Sequence, residues 1–170
     1  NQRLYCDKHQ VYDSKLMPII SANSSTFRPL KPKKGKSNDK PDCSTHFIDK
    51  ESVFFDMKKI KGADAGSFEL PKDNGGRQFY GMDSKHVYWR GKLVIGADPK
   101  SFKSFYKEVY RDKNYVYIRG KVIVGSDGST FERVKDSGKF FKDKKNVYGS
   151  GGHIIQGLTP KGVVNLGHGY

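Results

Sequence analysis

The chain has 170 residues, of which 32 are Lys or Arg and 18 are Asp or Glu, so its net charge is +14. No apolar run approaches the roughly 18 residues of a membrane-spanning helix, so no segment is expected to span a membrane. The positive charge favours acidic partners, namely nucleic acid, anionic lipid, wall polymer or an acidic protein, and it equally serves solubility.

The sequence begins with Asn rather than Met and contains no signal-like apolar region. We expect a mature or trimmed product from which an export signal has been removed. Its length fits one domain or one compact array of repeats. Ten Tyr and eleven Phe residues supply bulky apolar groups for a core.

Five copies of one motif recur along the chain, each an aspartate followed four residues later by valine and then by an aromatic residue. Self-similarity at a spacing of about 30 residues indicates a repeat architecture. We predict a single repeat domain over residues 1–170, with repeats 1 to 5 starting near residues 5, 47, 81, 110 and 141. The copies are "DKHQVY" from Asp7, "DKESVF" from Asp49, "DSKHVY" from Asp83, "DKNYVY" from Asp112 and "DKKNVY" from Asp143.

Each copy is predicted to be a β-hairpin followed by a third strand. In the third copy "HVYWR" is typical of a strand, "GK" of a turn, and "LVIG" of a second strand. The later segment "FKSFYKEVY" is predicted to be a third strand or, alternatively, a helical turn. The motif aspartate is expected to cap the turn before the first strand by accepting backbone N–H groups, in preference to a catalytic or metal-binding role.

The first strand of each copy has two faces. Trp89 lies on the face that makes the better core, whereas Tyr88 and Arg90 point the other way. These Tyr and Arg side chains either form a ladder facing a partner, or the Tyr rings pack between repeats and only the arginines are exposed. We favour packing for the tyrosines and exposure for the arginines. The candidate partner-binding residues of the strands are Tyr88, Trp89, Arg90, Tyr117 and Arg119.

The first and last copies depart from the pattern, as terminal units of an array usually do. Pro18 in "LMPII" confines that segment to an edge or a bulge. The glycines of "GSGGHIIQG" are predicted to form a turn, because no phosphate-binding motif surrounds them. The whole is predicted to be all-β with antiparallel hairpins, either an open twisted array or a closed, propeller-like ring.

A basic insertion, residues 28–43 with the sequence "RPLKPKKGKSNDKPDC", separates repeats 1 and 2 and is predicted to be an extended exposed loop. It either makes a movable basic contact or is simply solvated. Its candidate contact residues are Lys31, Lys33, Lys34 and Lys36.

The only two cysteines, Cys6 and Cys43, flank this loop with 36 residues between them. A disulfide between them would contribute on the order of 3–4 kcal/mol in the chain-entropy model. It would indicate an oxidising compartment, whereas two unpaired thiols are the alternative.

Catalytic and metal-binding motifs are absent from the sequence. The five histidines have no metal-ligand spacing, and no nucleophile stands in a recognisable catalytic motif. We therefore predict a protein that is not an enzyme and that carries no metal or cofactor.

The repeated "DKNYVY" core resembles the bacterial DKNYY family, whose members carry tandem copies of "DKNxVY…G…I.GADP.TF". The stretches from Asp83 and Asp112 match this pattern closely, and the resemblance covers most of residues 49–148. It implies a bacterial, often exported or envelope-associated protein without known enzyme chemistry. It also implies a link to toxin immunity, because some such proteins are encoded beside secreted antibacterial effectors, including phospholipase-type toxins, as their immunity partners.

We therefore expect a non-catalytic protein-binding module in the periplasm or another exported envelope location. The favoured function is an immunity protein that neutralises a secreted bacterial effector of, for example, phospholipase type, through Trp and Arg anchors. The alternative is a basic module that binds polyanions, with wall polymer or anionic lipid favoured over nucleic acid. A structural scaffold is the third hypothesis.

Overall fold

The structure, a computed structural model, describes residues 5–8, 10–31, 45–72, 78–135, 137 and 139–163, with only the backbone of Cys6. Strands and turns account for all the regular structure in these segments, which confirms the all-β prediction. They contain no helix that is long and apolar enough to cross a membrane.

Sixteen short strands form five separate antiparallel sheets in these segments, one for each copy of the motif. Their bounds are β1 (Tyr5–Cys6) and β2 (Val11–Tyr12) in repeat 1; β3 (Arg28–Pro29), β4 (His46–Ile48), β5 (Val53–Phe55) and β6 (Lys58–Lys59) in repeat 2; β7 (Tyr80–Met82), β8 (Val87–Trp89) and β9 (Lys92–Leu93) in repeat 3; β10 (Lys103–Tyr106), β11 (Val109–Arg111), β12 (Val116–Ile118) and β13 (Lys121–Val122) in repeat 4; and β14 (Glu132–Arg133), β15 (Phe141–Lys142) and β16 (Val147–Tyr148) in repeat 5. Among these strands no barrel closes, so the arrangement is the open one.

Each sheet is a meander in which strands adjacent in sequence pair with each other. In repeat 4 the order is β10-β11-β12-β13, and β12 with β13 forms the predicted hairpin. The stretch "FKSFYKEVY" forms β10 and much of β11, so the helical-turn alternative is wrong. Pro18 makes only an isolated bridge to Tyr12, which agrees with its predicted edge position.

The prediction that residues 28–43 form an extended exposed loop is wrong for the first residues of that segment. Arg28 and Pro29 form β3, which pairs with β4, and the N–H of Leu30 donates to the His46 carbonyl over 2.9 Å. Leu30 also packs against the core between repeats 2 and 3, and this apolar contact explains why the segment joins the sheet. Lys31 is exposed. The remaining lysines of the loop and Cys43 lie outside the described residues, so the Cys6–Cys43 disulfide stays a prediction.

Tight two-residue turns end the first strand of each central repeat. Arg90 and Gly91 both have positive φ, 49° and 73°, as do Arg119 and Gly120, with 52° and 76°. Two consecutive positive φ values are typical of the type I′ hairpin turn, which matches the twist of the flanking strands. The strand therefore stops after three residues, and the two arginines lie in turns rather than on the strand face predicted for them.

Both faces of the first strand are buried in repeats 2, 3 and 4, because each of these repeats is packed between two neighbours. Val87 packs in the cluster shared with repeat 4, and Tyr88 packs in the cluster shared with repeat 2. Val116 and Tyr117 divide in the same way between repeats 5 and 3. The favoured expectation that the tyrosines pack between repeats is thus confirmed, and the alternative of a partner-facing ladder is wrong for Tyr88 and Tyr117.

The apolar core consists of four clusters, one at each junction between consecutive repeats. At the junction of repeats 3 and 4, the rings of Phe102 and Tyr110 stack with centroids 5.5 Å apart and an interplanar angle of 14°. Phe131 and Phe141 stack in the same way at the next junction, at 5.5 Å and 16°. Each such ring pair contributes about 0.5–1.5 kcal/mol beyond the area that it buries.

The motif aspartate caps its turn as predicted, and it also joins neighbouring repeats. The Oδ1 atom of Asp112 accepts the N–H groups of Asn114 and Tyr115, each over 2.7 Å. Its Oδ2 atom accepts the Tyr117 hydroxyl over 2.8 Å and the N–H of Asp98, from repeat 3, over 2.9 Å. The cross-repeat bond recurs at Asp49, Asp83 and Asp143. We call this arrangement the aspartate clamp.

Gly128 offers a test of how tightly the turns pack. A Cβ there would lie against the carbonyl oxygen of Asp112 and 2.6 Å from that of Tyr115, and neither backbone group can rotate away. We expect Gly128→Ala to lower the free energy of unfolding by about 3 kcal/mol through overpacking. Gly66→Ala is the control, because its Cβ would meet only the Asp64 carboxylate, at 3.4 Å. It should change stability by less than about 0.5 kcal/mol, and urea denaturation of both variants gives the comparison.

Candidate protein-binding surface

Tyr88 and Tyr117 are not available to a partner, because they are only 3% and 0% exposed. Each hydroxyl donates to the motif aspartate of its own repeat, over 3.0 Å to Asp83 and 2.8 Å to Asp112. Burial, and then the hydrogen bond to a carboxylate, raises the pKa of both tyrosines. The packing interpretation is therefore the correct one, and these two residues are removed from the predicted contact surface.

Trp89 is half-buried and held in place by the next repeat. A Cβ on Gly120 would lie 2.9 Å from atoms of the Trp89 side chain, so the turn of repeat 4 rests directly on it. The N–H of Gly120 donates to the Tyr80 hydroxyl over 2.6 Å, which fixes that turn. Trp89 thus combines a structural contact with a partly exposed ring.

Arg90 is exposed and lies over two aromatic rings. Its guanidinium carbon is 4.5 Å from the ring centroid of Phe79 and 5.1 Å from that of Trp89. Attraction between the cation and the ring faces holds the side chain near the surface, with a strength of about 0.5–1 kcal/mol at an exposed site. The side chain therefore occupies a defined position before any partner arrives.

Arg119 occupies the equivalent turn of the next repeat and is 72% exposed. Its Nε atom lies 3.0 Å from a Glu108 carboxylate oxygen, in an ion pair open to solvent on both sides. Such a pair contributes at most about 1 kcal/mol, so it yields readily to a partner. Phe79, Trp89, Arg90 and Arg119 together are called the turn cluster below.

A second exposed surface was missed in the sequence, where "LVIG" and "VIVG" were interpreted only as apolar strands. The middle residues Val94 and Ile123 are buried, but the aliphatic residues on either side of them are exposed. The alternation of a β-strand explains this, since neighbours of a buried residue point outward. Counted from the strand before the motif aspartate, β6, β9 and β13 are each the third strand, and they are distinct from the predicted third strand "FKSFYKEVY". We call the exposed side chains on and just after them the third-strand row: Lys58, Lys59, Lys61, Lys92, Leu93, Ile95, Lys121, Val122 and Val124.

A buried histidine lies in the core of repeat 2. His46 is 0% exposed, and its ring lies 5.0 Å from that of Phe55 and 6.0 Å from that of Phe68, measured between centroids. Its Nε2 atom has no hydrogen-bond partner, and burial lowers its pKa to about 4. Among the described residues, no group of three or more His, Cys, Asp or Glu side chains is placed to hold a metal ion.

One protein family matches the chain. The model of the DKNYY family matches residues 1–121 and 109–166, which together include all five copies of the motif. No curated protein and no solved structure matches the chain. The aspartate clamp supplies the physical reason for the motif, because its first residue caps a turn and its last residue donates a hydroxyl to that cap. The chain belongs to the DKNYY family.

Proposed function

We propose that this chain is a non-catalytic protein-binding module of the bacterial envelope, and more specifically an immunity protein that binds and neutralises an exported antibacterial effector. The turn cluster is the observation that carries the proposal. Trp and Arg are the residues most enriched among binding hot spots, and Arg90 is already held over Phe79 and Trp89. A side chain ordered in advance loses little conformational entropy when it binds.

The repeat architecture supports the same function. Stacked repeats place equivalent positions side by side and so build an extended surface for a partner. Arg90 and Arg119 stand at such equivalent positions of consecutive repeats. Because both side chains are exposed, they are free to approach acidic groups at the rim of an effector's cleft.

The test is a pull-down from an envelope extract of the native organism, with the wild-type chain, the Arg90→Asn/Arg119→Asn variant and a Lys85→Glu control as baits. Asn tolerates the positive φ of both turns, so the variant keeps the backbone. We expect one protein at stoichiometric amount to stay on the wild type and the control through about 0.5 M salt, where loose charge contacts are screened. The arginine variant should lose it.

Neutralisation is then checked by expressing the retained protein in a sensitive strain with either bait. The wild-type chain should restore growth, and the arginine variant should not. If the retained proteins form a mixture that elutes below 0.5 M salt, the effector-binding proposal fails. That result would favour the second candidate, a polyanion-binding module, for which the net charge of +14 is the supporting observation.

A further inference from the structure

The third-strand row combines exposed aliphatic side chains with lysines. Ile95 and Val124 are 86% and 81% exposed, and Leu93 and Val122 are 53% and 41% exposed. Single exposed aliphatic residues are common, but a contiguous set of them marks an interaction site. In these two repeats the aliphatic pairs stand at equivalent positions, and each is preceded by a lysine.

Contacts between repeats place the turn before β9 and the turn before β13 against the hairpin of the preceding repeat. Gly91 immediately precedes β9, and a Cβ on it would lie 3.2 Å from Phe55 and 3.5 Å from Ile60, at the end of the preceding hairpin. Gly120 immediately precedes β13 and rests in the same way on Trp89. The last strands of repeats 3 and 4 therefore each begin against the hairpin of the preceding repeat, and the exposed side chains of the row lie on three successive repeats.

The row carries the positive charge of five lysines. None of the ion pairs in the described part of the chain involves the lysines of the row, which are Lys58, Lys59, Lys61, Lys92 and Lys121. Two carboxylates of these repeats are engaged by other lysines, since Asp98 pairs with Lys113 and Asp127 with Lys144. A ligand that complements the row must therefore supply both carboxylates and apolar groups.

We propose that the third-strand row is the docking face for the protein partner, and that the partner presents an extended acidic segment in which carboxylates alternate with aliphatic side chains. The inference rests on the proposed function and names the chemistry of its partner. Since β6, β9 and β13 are each the last strand of their sheet, they can accept an added strand. The row has no aromatic residue, whereas surfaces that enter lipid headgroups favour Trp and Phe.

The experiment measures fluorescence anisotropy of a labelled decapeptide of alternating Glu and Val, titrated with the purified full chain. Two further probes are a decapeptide of the same composition with its glutamates in one block, and vesicles of phosphatidylglycerol. The row variants are Ile95→Ser/Val124→Ser and Lys92→Glu/Lys121→Glu. The charge-matched control is Lys85→Glu/Lys145→Glu, which changes two exposed lysines of the motif turns.

The alternating peptide is expected to bind the wild type and the control alike, and to bind each row variant about tenfold more weakly. Preference for the alternating peptide over the block peptide supports a docked strand. Equal binding of the two peptides, equal binding by the row variants, or no binding to the wild type overturns the proposal. Vesicle binding that is lost in the row variants, with no peptide binding, overturns it in favour of a lipid surface.

Failure of this inference is distinguishable from failure of the proposed function. If the pull-down retains a protein whose binding requires Arg90 and Arg119 but not the side chains of the third-strand row, the docking-face proposal is wrong and the proposed function stands. If the peptide binds the third-strand row but the pull-down retains no protein in stoichiometric amount, the docking-face proposal stands and the proposed function fails. Unfolding curves of all variants confirm that the exposed substitutions leave the fold intact.

Discussion

Replacing Asp112 with Ala is expected to lower the free energy of unfolding by at least about 4 kcal/mol. The substitution removes the acceptor for four donors, two of which belong to the turn, one to Tyr117 and one to Asp98 of the preceding repeat. A hydrogen bond to a charged group contributes about 1.5–3 kcal/mol, and buried donors left without partners add a penalty. A natural domain has only about 5–15 kcal/mol in all, so repeat 4 should unfold or detach.

The control for this variant is already built into the chain. In repeat 2 the tyrosine of the motif is replaced by Phe54, so Asp49 keeps its bonds to Glu51, Ser52 and Asn23 but has no hydroxyl donor from that position. Tyr117→Phe reproduces this arrangement in repeat 4 and should cost about 1.5–3 kcal/mol, the contribution of one hydrogen bond to a charged group. The two unfolding curves, followed in urea by the fluorescence of the single tryptophan, give the comparison. Equal losses in both variants would show that the aspartate does not join the repeats.

Protonation of Asp83 and Asp143 tests the clamp of repeats 3 and 5 without mutation. Burial alone would raise the pKa of Asp83 and Asp143, but hydrogen bonds from backbone N–H groups and from a tyrosine outweigh it, so both pKa values are lowered. A lowered pKa means that the folded state favours the carboxylate. The resulting stability is present above the unfolded pKa of about 3.9 and is lost as the pH falls through the folded value. Separation of the repeats by acid should therefore begin below about pH 4.

The repeat and its turn chemistry could be predicted from the sequence because both are local. The spacing of Asp112, Val116 and Tyr117 predicts a capped turn followed by a strand. The hairpin turn was predicted at the Gly-Lys pair and lies one residue earlier, at Arg119 and Gly120, because Lys121 already belongs to β13. The bond from Asp98 to Asp112 could not be predicted, because it depends on how far one repeat is stacked over the next.

The candidate site was predicted less well, for a reason that lies in the stacking. Alternation along one strand assumes one buried face and one solvent face, but Val87 and Tyr88 each face a neighbouring repeat. The residues that remain exposed lie in the turn and in the outer strand. Exposure of Arg90 was predicted from the sequence, whereas exposure of Ile95 was not. In such arrays the exposed positions follow from contacts between repeats rather than from the period of a strand.

A shift of one residue in repeat 3 illustrates the same limit. The other repeats carry an aromatic residue two positions before the motif aspartate, whereas repeat 3 has Gly81 there and Tyr80 one position earlier. A shift of one residue moves a side chain to the opposite face of a strand. Tyr80 consequently packs towards repeat 4, at 4.2 Å from Tyr110 between ring centroids, and Phe68 fills the space over Gly81. The sequence shows the shift but not its consequence.

Acidification from pH 7.5 to pH 5.0 is expected to lower the free energy of unfolding by about 2 kcal/mol through His46 alone. Burial lowers the pKa of His46 to about 4, against about 6.5 in the unfolded chain. The folded state therefore favours the neutral ring, so the unfolded state binds a proton first as the pH falls. The stability is present above about pH 6.5 and is lost between about pH 6.5 and pH 4, which is above the pH range in which Asp83 and Asp143 are protonated.

The surroundings of His46 explain why the folded state disfavours a proton on its ring. His46 lies between Phe55 and Phe68, and its Nδ1 atom is 3.3 Å from the Thr45 hydroxyl, so no carboxylate faces the ring in the contacts that the structure describes. His46→Phe removes the titrating group, and His46→Leu serves as a second variant should the larger ring overpack the site. The decisive readout is the slope of stability against pH rather than stability itself, since other histidines contribute equally to wild type and variants. Between pH 7.5 and pH 5.0 the variants should lose about 2 kcal/mol less than the wild type, and parallel curves would show that His46 is accessible to protons in the folded chain.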